Sequence, residues 1–384
     1  MLIGIDGNEA NQKSRVGIGQ FAFNIIEELE RIDKKNEYFV YLKESPLSDL
    51  PKERKGWKYL IFGPSKFWTQ FALPFKLFTQ KQKLDIFFTP SHYAPRFSPV
   101  PTVISIMDLW HHRHPEQFAK KDLYQLTKWE GYSVRRTSHI MTISEFSKRE
   151  ILDIYQIPAD RVTVAYPGFT KFQIPNSKFQ INTNIQKIKQ KYKINGNYLL
   201  YLGTLQPKKN VEGLIRAFSL LIADYQSPIT LVVAGKKGWL YEKIFELVKE
   251  LKLEDKVVFT GFVEEEDKPY LLAGAKAFVF PSFYEGFGIP VLEAMSLGVP
   301  VVISKEGSLP EVGGQTAIYF DPYKVESMAA SLRKVLNLND KEKNEIIKAG
   351  YKQAKKFSWE KCAKQILTTL ERVVGERATE VGDW

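Results

Sequence analysis

Short runs of β-branched and aromatic residues alternate with amphipathic helical stretches along almost the whole chain, and this alternation limits the fold more than any other feature. "EYFVYL", "DIFFTP", "TVISIMD", "HIMTIS" and "RVTVAYP" fall in the first half, and "NYLLYLG", "ITLVVAG", "KVVFTG", "AFVFPS" and "VPVVIS" in the second. Helical patterns such as 210–224, 239–252 and 288–297 lie between them. The repetition predicts an α/β chain of parallel, doubly wound sheets with helices on both faces. At 384 residues the chain exceeds one comfortable core, so two Rossmann-like domains are expected. The polar interval "FQIPNSKFQINTNIQKIKQKYKING" reads as a linker, partly helical and basic, between the two halves. The expected layout is a first domain at 1–172, a linker at 173–196, a second domain at 197–357, and a C-terminal helix at 358–384 packing back toward the first domain. Two such domains place a ligand cleft at the C-terminal ends of both sheets.

Composition removes several function classes. Hydrophobic content of 44% and charged content of 26% are ordinary globular values. No apolar run approaches the roughly 18 residues of a membrane span. The first residues enter a strand directly, so no signal peptide is expected. A single cysteine, Cys362, excludes an internal disulfide and a cysteine metal cluster, and points to a reducing, cytoplasmic setting. The net charge of +11 is uneven: residues 51–100 hold nine Lys/Arg and two Asp/Glu, a local +7. That concentration suits an anionic surface or partner, and nucleic acid is not expected because none of its usual motifs occurs.

Three stretches carry chemistry. "SRVGIGQFAFNIIEEL" (14–29) fits G-x-G-x-x-G/A through Gly17, Gly19 and Ala22, yet it lies about ten residues past the first strand, too far for a dinucleotide fingerprint. Backbone N–H groups there could still receive another anion. In "FVFPSFYEGFGIPVLEAMSLGVPVVIS" (278–304) a strand ends at Pro281 and a helix opens near Ile289 with Pro290 in its first turn. Gly286 and Gly288 let backbone approach a ligand, and the helix N-terminus favours a phosphate or an electron-rich sugar oxygen. Glu285 and Glu293 flank this opening; beside an anion site, carboxylates suit hydroxyl groups rather than a bare phosphate. In "YLGTLQPKKNVEGLIRAF" (201–218), Lys208 and Lys209 follow a strand as point charges for a diphosphate, and Asn210 is placed to cap the next helix.

"YEGFGIPVLEAM", "GTLQPKKN", "SEFSKREI" and "GSLPEVGG", in this order and spacing, resemble the family 4 retaining glycosyltransferases of the GT-B fold. The resemblance extends over nearly the whole chain, and the Glu-x7-Glu motif is its most specific mark. It implies two Rossmann-like domains, a nucleotide-sugar donor held mainly by the second, and retention of configuration without a metal. The glycine loop at Gly17 and Gly19 would then face the donor diphosphate. Glu285 would hold a donor-sugar hydroxyl, Glu293 the ribose hydroxyls, and Lys209 the leaving diphosphate. Phe287, Gly288 and Ile289 would meet sugar and phosphate, with Val291 and Leu292 beside them; Thr204 and Lys208 complete the donor set. The chain departs from the family where Thr204 follows Gly203 in place of an arginine, and where Met107 replaces a histidine beside Asp108, which is carried over as a catalytic candidate.

No Ser/His/Asp set, His/Asp metal cluster or D-x-D sequence is visible, so electrostatic stabilisation of the leaving diphosphate is the expected mechanism and no cofactor is expected. The resulting expectation is a hexosyltransferase, a mannosyltransferase among the options, moving a sugar from a GDP- or UDP-linked donor to a glycan or lipid-linked acceptor in polysaccharide biosynthesis. A catalytically silent carbohydrate-binding subunit and a GT-B epimerase are the alternatives. "KFWTQFALPFKLFTQKQK" (66–83) sets Trp68, Phe71, Phe75 and Phe78 at helical spacing among lysines, with Pro74 expected to break or kink the helix. It reads either as a core helix with its lysines outward or as a docking surface for an anionic membrane or acceptor.

Overall fold

The computed structural model describes residues 1–172, 175 and 177–382. The chain divides into two compact units, Met1–Gly168 with Phe357–Trp384, and Phe169–Lys356.

Unit 1 holds seven strands: β1 (Leu2–Asp6), β2 (Glu37–Leu42), β3 (Trp57–Ile61), β4 (Ile86–Thr89), β5 (Thr102–Ile106), β6 (His139–Thr142) and β7 (Val162–Val164). They form one sheet in the order β3-β2-β1-β4-β5-β6-β7, every pairing parallel. β1, β4, β5 and β6 are buried along their whole length, as sheets covered by helices on both faces require. The C-terminal helix Trp359–Gly382 is part of this unit and lies on Ile18–Ile32, where Phe21 and Trp359 meet edge to face at 6.1 Å.

Unit 2 holds β8 (Asn197–Leu202), β9 (Ile229–Ala234), β10 (Val257–Gly261), β11 (Ala277–Phe280), β12 (Val301–Ser304) and β13 (Ile318–Phe320), in the order β10-β9-β8-β11-β12-β13 and again all parallel. Both sheets therefore reverse direction once: unit 1 between β1 and β4, unit 2 between β8 and β11. Ligands of open α/β sheets bind outside the carboxyl ends of the strands at such a reversal. The loops after β8 and β11 carry Lys208–Lys209 and Glu285.

The interval 173–196, expected as a partly helical, basic linker, is part of unit 2. Residues 173, 174 and 176 lie outside the described residues, but Lys178–Lys191 is a helix of unit 2 packed on Lys268–Ala273. Its Lys191 pairs with Asp267 at 2.5 Å, and Tyr192 donates to the same carboxylate at 2.7 Å. The boundary between units falls at 168/169, a few residues before the expected 172/173.

Candidate active site

Two buried carboxylates of unit 2 each hold a lysine. Glu285 lies in the loop after β11, and its Oε1 accepts from Lys209 Nζ at 2.6 Å and from Ser282 Oγ at 2.5 Å. Lys209 ends the short turn Pro207–Lys209 after β8, with its ammonium 5.2 Å from the centre of the Phe280 ring. The two loops are tied by backbone as well, Phe283 N donating to Lys208 O at 2.9 Å. The sheet order makes the lysine and carboxylate meet, because β8 and β11 pair side by side. Tyr201 at the end of β8 is fully buried, and burial together with the Glu285 charge keeps its phenol neutral.

Glu293 sits in the helix Ile289–Ser296 and is 2% exposed. Lys268 Nζ stands 3.0 Å from its Oε1 in hydrogen-bonding geometry and 2.9 Å from its Oε2 as an ion pair. Oε2 itself has no hydrogen-bond donor among the described residues. Burial raises the Glu293 carboxyl above the ordinary range, and Lys268 opposes the shift. The carboxylate thus keeps one oxygen able to accept from a hydroxyl.

The turn between β11 and that helix is buttressed from the "GSLPEVGG" stretch. Ser308 Oγ reaches Glu285 O at 2.9 Å and Phe287 O at 2.7 Å. Gly307, at φ +66, passes so close that a Cβ would lie 2.9 Å from Glu285 N, so a side chain there would push the Glu285 loop aside. In the sequence this stretch is only a family mark; in the structure it holds the Glu285 loop in place.

Other expected site residues take different places. Asn210 stands at the N-cap position with φ 53 but does not cap the helix with its side chain. Its Nδ2 instead donates to Pro281 O at 3.2 Å and Pro322 O at 2.9 Å, joining three loops at the strand ends. Val291 and Leu292 are fully buried, so their side chains pack in the core. Phe287 is buried, Gly288 starts the helix at φ 122, and Ile289 is half-buried. Thr204 is exposed, and its carbonyl accepts from Tyr201 Oη at 3.2 Å. Lys208 is half-buried.

In unit 1, Gly17 is exposed at the head of Ile18–Ile32, whereas Gly19 is buried and its N–H donates to Val16 O at 3.0 Å. Asp108 Oδ1 accepts from Trp110 N at 3.1 Å, fixing the turn after β5. The following histidines converge on a residue the motif reading did not consider. His111 Nε2 and His112 Nε2 lie 3.3 and 3.6 Å from Oε1 of Glu130, which is 1% exposed on Lys120–Arg136. Tyr155 donates to the same oxygen and stands 3.0 Å from His112 Nε2. His111, His112 and Glu130 are the His/Glu group among the described residues whose ligand atoms, within 4.8 Å of one another, could converge on a divalent ion. Sequence spacing missed it because Glu130 belongs to another helix.

Burial opposes ionisation of Glu130, but the His111, His112 and His92 rings outweigh it and hold its carboxyl at about 2. A depressed carboxyl contributes stability that is full above its unfolded value of about 4.5 and is lost as pH falls toward 2, here on the order of 3 kcal/mol. Urea midpoints should therefore show the largest gap between wild type and Glu130→Gln near neutrality, and the gap should close as pH falls from about 4.5 toward about 2. A gap that is constant with pH would remove the assigned charge from Glu130.

Residues 184–353 match the family model described as glycosyl transferases group 1, and residues 16–170 the model described as glycosyltransferase family 4. The chain belongs to glycosyltransferase family 4. This family 4 chain is 38% identical over 258 residues to the O-antigen chain mannosyltransferase B of Escherichia coli, covering 67% of the chain and 66% of that relative. It is 32% identical over 251 residues to the serotype-specific mannosyltransferase WbdA of the same organism, covering 64% of the chain but only 30% of WbdA. The matched part is thus under two thirds of each relative's length. Among solved structures it resembles Anabaena HepE in complex with UDP and glucose, with a TM-score of 0.71 and 19% identity over 96% of this chain and 99% of that one. That likeness is one of fold, and the fold is GT-B: two Rossmann-like parallel-sheet domains.

Proposed function

We propose that this family 4 chain is a retaining hexosyltransferase, a mannosyltransferase by analogy with the names of its relatives, acting on a nucleoside-diphosphate sugar and a glycan or lipid-linked acceptor of a surface polysaccharide. The observation that carries the reading is the pair of buried carboxylate–lysine contacts, Lys209–Glu285 and Lys268–Glu293, at and beside the reversal of the unit 2 sheet. Without a ligand, each carboxylate neutralises its lysine. A diphosphate arriving at Lys209 competes for that ammonium and releases Glu285 Oε1 to accept from a sugar hydroxyl, while Ser282 keeps the carboxylate oriented. Glu293 Oε2 accepts from the ribose.

The chemistry follows from these charges. The acceptor oxygen forms a bond to the anomeric carbon on the face from which the diphosphate departs, and the carbon–phosphate-oxygen bond breaks. The acceptor proton passes to a phosphate oxygen, and Lys209 stabilises the charge that develops on the leaving group. Lysines in this position make a divalent ion unnecessary. A glycan acceptor carried on lipid places the protein at the cytoplasmic face of a membrane; among the described residues no helix is long and apolar enough to cross one.

A thermal-shift screen across UDP, GDP and ADP sugars, followed by mass spectrometry of transfer, tests the reading, since a ligand of the native state raises Tm. Transfer should persist in excess EDTA. Loss on chelation, restored by Mg²⁺ or Mn²⁺, contradicts the lysine mechanism; transfer to no acceptor and no shift with any donor contradicts the enzyme reading itself.

A further inference from the structure

The segment 66–83 is a π-turn, Trp68–Ala72, running into a helix, Leu73–Thr79, with Pro74 in its first turn, where the ring is accommodated rather than helix-breaking. One face of it is core. Trp68, Ala72, Leu73 and Leu77 are buried against Leu2, Tyr41, Leu84 and Phe87. The opposite face carries Phe67, Phe71, Phe75 and Phe78, which are 53%, 70%, 72% and 60% exposed. Of the two readings open at the sequence level, the phenylalanines are thus not core. Phe97, 55% exposed, lies in a loop fastened to the same segment, Arg96 N donating to Thr69 O at 3.0 Å.

Large rings turned to water on one face, at successive turns, mark a surface with an occupant. Its charge tells which. Lys66, Lys76, Lys81, Lys83 and Arg96 lie in the stretch 62–100, where Asp85 is the sole acidic residue and accepts from Leu2 N at 2.7 Å. None of the four lysines forms an ion pair with a carboxylate among the described residues, and Lys66, Lys81 and Lys83 are exposed. Phenyl rings flanked by unpaired cations match the boundary of a bilayer, where rings enter the acyl region and ammonium groups remain among phosphates. A protein groove would more often supply carboxylates or a matching apolar surface alone.

We propose that this face docks unit 1 on an anionic lipid bilayer, with Phe67, Phe71, Phe75 and Phe78 inserted and the surrounding lysines on lipid phosphates. The inference goes beyond the transferase reading and does not depend on it. Anionic charge recruits the lysines over a Debye length of about 8 Å at physiological salt, and the rings then hold the protein at the surface.

Cosedimentation of the full chain with phosphatidylglycerol–phosphatidylcholine vesicles tests it, with pure phosphatidylcholine as the control. Binding to the anionic vesicles is expected, weakened by salt and at least about tenfold reduced in Phe71→Ser/Phe75→Ser, since each exposed ring contributes by its burial. Lys66→Gln/Lys81→Gln/Lys83→Gln should lose the preference for anionic vesicles while retaining the fold by circular dichroism. Transfer to a water-soluble acceptor should be unchanged in both variants, which separates failure of docking from failure of the enzyme. Absence of binding at low salt, equal binding to both vesicle types, or serine variants that bind like wild type would overturn the proposal. So would lipid-free dimerisation abolished by the serine substitutions, because the occupant would then be a second copy of the chain.

Discussion

Replacing Glu285 by Gln lowers kcat by about two orders of magnitude or more and leaves the affinity for the bare nucleoside diphosphate nearly intact. The substitution keeps the shape of a side chain that is 7% exposed, so the loop after β11 stays in place, held from Ser308. What it removes is a negative charge. In the ground state that charge serves Lys209 at 2.6 Å, and its loss leaves the ammonium more available to a diphosphate. In the transition state positive charge develops on the sugar as the bond to phosphate breaks, and the missing carboxylate is felt there. The effect therefore appears in kcat. Donor turnover in single-turnover mixing is the measurement, and a variant with wild-type rate would remove Glu285 from the chemistry.

Glu293→Gln fails in the other way. Ribose hydroxyls are the same in donor and transition state, so a carboxylate that accepts from them contributes equally to both. Loss of a charge-assisted hydrogen bond costs roughly 1.5–3 kcal/mol, about tenfold to a hundredfold in affinity. The variant should show a raised donor KM, similarly weakened binding of the free nucleoside diphosphate, and a kcat much less affected. Lys268, 16% exposed in its side chain and 3.8 Å from Glu265, has a second carboxylate to turn to. The variant should consequently fold, and its circular dichroism checks that.

The two parallel sheets were legible because most strands announce themselves as a short β-branched or aromatic run; Trp57–Ile61, which follows β2 with no helix between, and the three-residue Ile318–Phe320 were not among the runs read. Glu285 and Lys209 were legible as motif residues on turns that follow strands, and Glu293 as one on the helix after β11. Their partners were not. Lys268 sits in "EEEDKPYL", which in one dimension is a charged surface turn, and it becomes the cation of Glu293 only after its helix packs in unit 2. Ser282 and Ser308 are ordinary turn residues until the loops converge. Asn210 has the identity of a helix cap, but a φ of 53 turns its amide to Pro281 and Pro322, where two buried carbonyls need donors. The stretch 66–83 is aromatic on both faces, so helical spacing alone could not say that Trp68 and Leu73 are inside and Phe71 and Phe75 outside. The π-turn adds a residue to one turn and rotates the face.

The division of labour between the two glutamates is the centre of the account, and titrating Glu285→Gln and Glu293→Gln side by side with the bare nucleoside diphosphate of the donor that gives the thermal shift tests it most directly. Glu285→Gln should bind that diphosphate within about a few-fold of wild type, and Glu293→Gln about tenfold or more weakly. Tight binding by Glu293→Gln together with lost binding by Glu285→Gln would reverse the two roles, and unchanged binding in both, with wild-type transfer, would place the site elsewhere in the protein.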